Sequence, residues 1–151
     1  MTPLKHSVTI DRPVRDVYAL AEQVERYPEF LPGYVESRVL ERQGDQTLLQ
    51  RKALVRGRLH EWRSWVRFTR DQAIQFEHAA GPLQGMQVVW NFTPLSESRT
   101  ELVIRHAVQV RRRGILGRVL EKWFFAPRIN EIADQVILAF KLAAEHGGNR
   151  L

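Results

Sequence analysis

Apolar and polar positions along this chain change period several times, and the changes outline a fold. Residues 6–10 alternate, with His6, Val8 and Ile10 on one face, as in a half-buried strand. Asp11 then stands where a helix cap is expected, and Pro13 falls in the first turn. Val14, Val17, Tyr18, Ala21 and Val24 supply that helix with an apolar stripe. In Tyr27-Pro28-Glu29-Phe30-Leu31-Pro32-Gly33, the residues Tyr27, Phe30 and Leu31 give one further helical turn, which Pro32-Gly33 must stop. The chain thus makes two short helices at a sharp angle and then enters a sheet. Such a corner can prop a curved sheet open around an internal space.

Period-two stretches follow at about 35–42, 47–55, 59–69, 73–79, 86–93 and 100–110. Gln43-Gly44-Asp45, Arg70-Asp71-Gln72 and residues 94–98 read as hairpin connectors, and Gly81-Pro82-Leu83-Gln84-Gly85 as a wider turn. The spacing predicts a meandering antiparallel sheet. From about 116 to 145 the period becomes helical. Leu120, Trp123, Phe124, Ile129, Ile132, Ala133, Val136, Ile137 and Phe140 carry the apolar side, and Gly147-Gly148 ends the helix. Pro127, in the middle of that stretch, is expected to kink or break it.

Alternation also assigns the concave side of the sheet. It receives Leu49, Arg51, Ala53 and Val55, then His60, Trp62, Ser64, Val66 and Phe68. Ile74, Phe76 and His78 follow, then Met86, Val88, Trp90 and Phe92, and last Leu102, Ile104, His106, Val108 and Val110. The face is mostly large and apolar, yet it holds Arg51, Ser64, His60, His78 and His106. Unpaired buried charge is expensive, so a closed core rarely collects such groups. A pocket with apolar walls and a few convergent polar groups does. Position by position, alternatives stay open. His60 and His78 lie near strand ends and suit a solvent rim, and His106 suits a hydrogen-bonded core. Arg51 fits a salt bridge across the sheet as well as a ligand contact. Trp62 and Trp90 suit a core as much as a site.

The 151 residues point to one domain, 1–151, large enough for a real core. No window approaches the ~20 consecutive apolar residues of a membrane span. The first residues lack the apolar core of a signal peptide, so the expected location is the cytoplasm. Cysteine is absent, which excludes disulfides, thiolate metal sites and cysteine nucleophiles. Net charge is +6, with 23 Lys and Arg against 17 Asp and Glu. Arg111-Arg112-Arg113, followed by Arg118, Lys122 and Arg128, suits peripheral contact with an anionic inner membrane face or with RNA phosphates. A solvated turn is the competing reading. No nucleic-acid motif accompanies the charge, and no DNA partner is expected.

Several chemistries find no support. Gly81-Pro82-Leu83-Gln84-Gly85 lacks the lysine and helix start of a phosphate loop. His60-Glu61 has no second histidine at helical spacing, so a zinc-protease reading fails. No nucleophile-elbow serine is present. No metal or cofactor is expected. Any catalysis must be acid–base work by His, Arg or Tyr, with no catalytic residue assigned.

Asp16-Val17-Tyr18-Ala19-Leu20, followed by Val24-Glu25-Arg26-Tyr27-Pro28-Glu29-Phe30-Leu31-Pro32, resembles the opening of the START-like (SRPBCC, helix-grip) superfamily. The branch it resembles is the coenzyme-Q-binding and polyketide cyclase/dehydrase group. Trp90-Asn91-Phe92-Thr93-Pro94-Leu95 and the ending from Pro127 to Phe140 are similar to later signatures of that branch. The resemblance implies an α+β helix-grip fold: a seven-stranded curved antiparallel sheet around a long C-terminal helix, two short helices after the first strand, and a hydrophobic cavity. Gly33-Tyr34 stands where Trp-Cys is common in the branch, and the interior is richer in arginine and histidine.

The expectation is a binding or carrier protein for a hydrophobic small molecule such as a quinone, lipid or polyketide-like aromatic. Trp62, Phe76, Met86, Trp90, Phe124 and Ile132 would line the cavity. Arg51 and His106 would fix a polar end, with Ser64 and His78 beside them. One alternative is an aromatase/cyclase in which Arg51 stabilises an enolate oxygen and His106 or Tyr34 moves protons. Another is a ribosome-associated, toxin-like protein acting through the arginine turn.

Overall fold

The computed structural model describes residues 4–81, 84–107 and 126–147. The Arg111-Arg112-Arg113 turn, Phe124, the strand end at Val108 and Val110, the expected helix start near 116, and Pro82-Leu83 lie outside those residues. β1 (Leu4–Ile10) leads into α1 (Val14–Ala21), a 3-10 turn (Val24–Arg26) and α2 (Tyr27–Phe30). β2 (Tyr34–Gln43), β3 (Gln46–Val55), β4 (Arg58–Thr69), β5 (Ala73–Ala80), β6 (Gln87–Ser96) and β7 (Arg99–Ala107) follow, and then α3 (Ala126–His146). The seven strands are antiparallel in the order β1-β7-β6-β5-β4-β3-β2. β1 closes one edge, with Leu4 opposite His106 and Ile10 opposite Thr100. This is the helix-grip α+β arrangement that the resemblance implied.

Burial follows the alternation. Leu49, Val66, Ile74, Phe76, Val88, Trp90, Phe92, Leu102 and Ile104 are buried on the concave side. α3 covers them with Ala133, Val136, Ile137, Phe140 and Ala144, a stripe at i, i+3, i+4, i+7 and i+11. The Phe140 ring meets Trp90 edge-on at 5.3 Å and tilts against Phe30 at 6.3 Å.

The Tyr27 corner forms as its residues dictate. Pro28 sits in the first turn of α2, and Leu31 N–H donates to the Tyr27 carbonyl at 2.8 Å to close it. Tyr27 is fully buried, stacks on Trp90 at 5.8 Å, and donates its hydroxyl to the Ala21 carbonyl at 2.6 Å. Gly33 follows with φ +84°, and a Cβ there would stand 2.9 Å from the Leu54 carbonyl oxygen. Leu54 N–H donates to the Gly33 carbonyl at 2.8 Å, which ties the corner to β3.

Two local expectations are corrected, and a third lies at the boundary of the described residues. Asp11 does not cap α1; Pro13 is the N-cap residue, without a side-chain cap, and Asp11 instead accepts from Arg99 Nε at 2.9 Å. The bend through Asp11 and Arg12 carries the carboxylate away from the helix start. Residues 94–98 are not all connector, because β6 runs to Ser96 and only Glu97-Ser98 turn. Pro94 is tolerated there because β5 pairs with β6 only as far as Asn91, leaving that side of Pro94 without a ladder partner. Pro127 is the second residue of the described helix, so the expected mid-helix kink falls at the edge of the described residues.

Candidate functional site

Arg51 organises the concave face. β3 turns it inward between Leu49 and Ala53, and only 5% of it is exposed. Four rings surround its guanidinium carbon: Phe76 at 4.8 Å, Tyr34 at 5.2 Å, Trp62 at 5.3 Å and Tyr27 at 6.0 Å. Each ring face is attractive to a cation, more so away from water. Nη2 donates to the Tyr34 hydroxyl at 2.7 Å. Among the described residues Arg51 has no carboxylate within 4 Å, so the cross-sheet salt bridge left open by the sequence is not made there. Its Nε–H is buried without a partner among the described residues.

Other unmet polar atoms share this face. Ser37 lies opposite Arg51 on β2, and Trp62 lies opposite Arg51 on β4. Ser64, two residues along β4, lies opposite His78 on β5. Ser37 Oγ, Trp62 Nε1, Ser64 Oγ, His78 Nδ1 and His106 Nδ1 are all buried without a hydrogen-bond partner among the described residues. Native interiors satisfy most such atoms, so a band of six across one face marks this face as the candidate site. Arg51 Nε and Trp62 Nε1 are obligate donors, so what they lack is an acceptor.

The histidines are held neutral. His78 stacks on Trp62 at 5.8 Å, and its pKa is lowered to about 3, by burial first, then by the Arg51 charge and by His106. His106 is lowered to about 4, by burial first and then by His6. His6 meets His106 edge-on at 6.4 Å and places Nε2 3.4 Å from Asp134 Oδ1 on α3. Burial raises the Tyr27 pKa, and its phenol stays protonated. Among the described residues no group of three or more His, Asp or Glu converges as a metal site.

Of the residues named from the sequence, Trp62 and Phe76 flank the Arg51 guanidinium, His78 stacks on Trp62, and Ser64 lies opposite His78. Trp90 and Met86 are also buried, Trp90 between Tyr27 and Phe140. His106 lies on β7, two strands beyond His78 in the sheet, and Ile132 is half-buried on α3 against the core. His60 is half-buried near the start of β4. Phe124 lies outside the described residues. Tyr27 and Ser37 join the site without having been named for it, and Tyr34 had been named only as a proton mover. A depression elsewhere on the sheet is lined by Gln46, Trp65, Arg67, Gln75, Phe76, Glu77, Gln87 and Val89, and shares only Phe76 with the surroundings of Arg51.

A family model described as polyketide cyclase / dehydrase and lipid transport matches residues 10–141. The granaticin polyketide synthase bifunctional cyclase/dehydratase of Streptomyces violaceoruber is 34% identical over 111 residues, 70% of this chain but 34% of that protein's length. The ribosome association toxin RatA of Escherichia coli K12 is 24% identical over 148 residues, 96% of this chain and 88% of RatA. In fold, the Zhui aromatase/cyclase of Streptomyces sp. R1128 superposes with TM-score 0.77 at 21% identity, covering 99% of this chain and 94% of that one. A START superfamily protein of Mycobacterium smegmatis gives 0.70 at 15% identity, covering 98% and 97%.

Proposed function

The chain belongs to the polyketide cyclase / dehydrase and lipid transport family, and on that footing we propose that it binds a hydrophobic, oxygen-bearing small molecule against the concave face, with the polar end held by Arg51. The observation that carries this reading is the guanidinium itself: 5% exposed, boxed by four rings, and left with an unmet Nε–H among the described residues. A carbonyl, phenolate or carboxylate oxygen would supply the missing acceptor and offset the buried charge. Phe76, Trp62 and Tyr34 favour a planar aromatic body, which stacks without losing much conformational freedom. His78 and His106 serve as neutral hydrogen-bond partners. Values of about 3 and 4 make them weak bases near pH 7, where an efficient general base has a pKa close to ambient pH. Binding is therefore favoured over catalysis. Peripheral contact with a membrane, and exchange of ligand there, belong to the same reading.

The relation to the granaticin cyclase/dehydratase favours a second reading, an aromatase/cyclase. Arg51 would steady an enolate oxygen. Proton delivery would fall to Tyr34, whose hydroxyl accepts from Arg51 and keeps its own proton to donate. Arg51→Met should then abolish turnover of a poly-β-ketone while apolar analogues still bind.

The test is native mass spectrometry of protein purified from its host, followed by thermal shift with 1,4-naphthoquinone, anthraquinone-2-carboxylate and oleate. A co-purifying aromatic or lipid, or a rise in Tm with the anthraquinone that Arg51→Met removes, supports the binding reading. An empty protein that none of the three stabilises would sink it and turn attention to RNA, with Arg111, Arg112 and Arg113 changed to Ser as the variant.

A further inference from the structure

Six large apolar side chains are exposed among the described residues, and three of them, Val35 (52%), Leu54 (50%) and Leu59 (56%), gather at one end of the sheet. Leu54 and Leu59 are direct partners across the β3–β4 hairpin. Val35 lies on the adjacent strand, between Tyr34, which pairs with Ala53, and Glu36, which pairs with Lys52. Their strand neighbours Ala53 and Tyr34 turn inward, so these three turn outward. The hairpin closes on Arg56-Gly57, with φ of 51° and 79°. Two residues with positive φ make the tight turn that matches strand twist, so the apolar side chains sit on a short, well-defined tip.

Charge surrounds them asymmetrically. Glu36 is engaged by Arg38 and Lys52, and Glu61 by Lys52. Arg56 reaches Glu131 on α3 at 2.7 Å. Arg58, at the tip, pairs with no carboxylate among the described residues, and the chain as a whole carries +6.

We propose that this hairpin tip docks on an anionic lipid bilayer, with Leu54, Leu59 and Val35 entering the headgroup boundary and Arg58 meeting lipid phosphate. The inference rests on the ligand-binding reading above and adds where the ligand is exchanged. Leu54 is three residues from Arg51 on β3, and Leu59 is three from Trp62 on β4. The tip is thus about 10 Å along each strand from the aromatic box. Three half-exposed aliphatic side chains fall far short of the ~1,000 Å² that a specific protein interface buries. They suit shallow, reversible insertion, where a few aliphatic groups and a neighbouring cation suffice.

The experiment is co-sedimentation of the protein with vesicles of phosphatidylcholine alone and of phosphatidylcholine mixed with phosphatidylglycerol. The wild type is expected to bind the mixed vesicles, weakly at high salt, and to bind phosphatidylcholine poorly. The double variant Leu54→Ser, Leu59→Ser should lose about tenfold or more in affinity for the mixed vesicles. Arg58→Gln should lose about fivefold. Circular dichroism and the thermal shift with anthraquinone-2-carboxylate are read on the same samples. Lost vesicle binding with both retained supports docking at this tip. Wild type that ignores mixed vesicles, or variants that bind them unchanged, would overturn it. So would a wild-type dimer that the leucine variant turns into a monomer in light scattering. Vesicle binding without any ligand shift would leave the docking surface standing while the cargo reading falls.

Discussion

A guanidinium withdrawn from water must be repaid by its surroundings, and at Arg51 the protein does so incompletely. The Tyr34 hydroxyl and four ring faces recover part of the lost hydration, while Nε–H stays unmet among the described residues. Methionine would keep the side-chain stem and fit among the rings without the charge. Arg51→Met is therefore expected to raise stability to urea by about 1–2 kcal/mol in the absence of ligand. A loss of about 3 kcal/mol would instead identify Arg51 as one half of a structural pair. The histidines make a second prediction. Both are neutral in the fold, at about 3 and 4, while an unfolded chain protonates them near ~6.5. As pH falls the unfolded chain takes up protons first. Their contribution is thus whole above pH ~6.5 and drains away between there and the folded values. From pH ~6.5 to ~5 each histidine should cost about 1.5 kcal/mol. His78→Phe keeps a ring against Trp62 and should roughly halve the slope of urea midpoint against pH; an unchanged slope would refute the burial of His78 as a neutral base.

At the scale of the strand, simple alternation places Arg51, Trp62, Ser64, Phe76 and His78 on the concave face, because β3 and β4 pair without a shift and β4 and β5 keep register from Ser64–His78 to Thr69–Ala73, the slip between Arg63 and Ser64 falling just beyond His78. It cannot place both Tyr34 and Ser37, which are three residues apart. The register of β2 against β3 slips between Tyr34 and Glu36, and that extra residue turns both Tyr34 and Ser37 toward Arg51 while leaving Val35 outside. A bulge has no signature in a period of two, which is why the alternation does not assign Ser37 and Tyr34 to the concave face. Pro94 misleads in the other direction, since proline reads as a connector unless one knows that its strand side is unpaired. The Gly81 turn was visible as glycine, but its role was not. Gly81 has φ +117°, and a Cβ there would lie 2.8 Å from Trp62 Cβ and 3.1 Å from the Glu61 carbonyl oxygen. Gly81→Ala should cost about 2–3 kcal/mol in urea unfolding and shift the near-ultraviolet dichroism of Trp62. Gly44→Ala is the control: its φ of +58° strains alanine, but nothing lies within 4 Å, and about 1 kcal/mol is expected. Equal effects at the two glycines would mean that backbone conformation, not the approach to Trp62, sets the cost.

Across the whole molecule, among the described residues, the long helix is fastened unevenly. At its C-terminal end Arg12 donates to the Glu145 carbonyl at 2.6 Å and to the Ala144 carbonyl at 3.3 Å, Lys141 donates to the Thr9 carbonyl at 2.6 Å, and Asp11 N–H donates to Glu145 Oε2 at 2.8 Å. Toward its other end the polar ties among the described residues are Arg56–Glu131 at 2.7 Å and His6–Asp134 at 3.4 Å, each with an exposed carboxylate. Exposed pairs of this kind contribute little, whereas carbonyls at a helix end that accept from a half-buried cation lose a real partner when it goes. None of this is legible locally, because Arg12 and Glu145 stand 133 residues apart and no periodic pattern links them. The helix itself is visible in its apolar stripe; its anchorage is a property of the closed fold. Arg12→Ala is expected to lower stability by about 1–3 kcal/mol, and Glu131→Gln by less than about 1 kcal/mol. Hydrogen exchange adds the direction. Arg12→Ala should speed exchange of the amides from 140 to 146, while Glu131→Gln leaves them protected, because the pinned end holds without the ion pair at the sheet tip. If Glu131→Gln loosened the C-terminal turns as much as Arg12→Ala does, the helix would behave as one rigid lever, and the end nearest Arg51 could not give way to a ligand on its own.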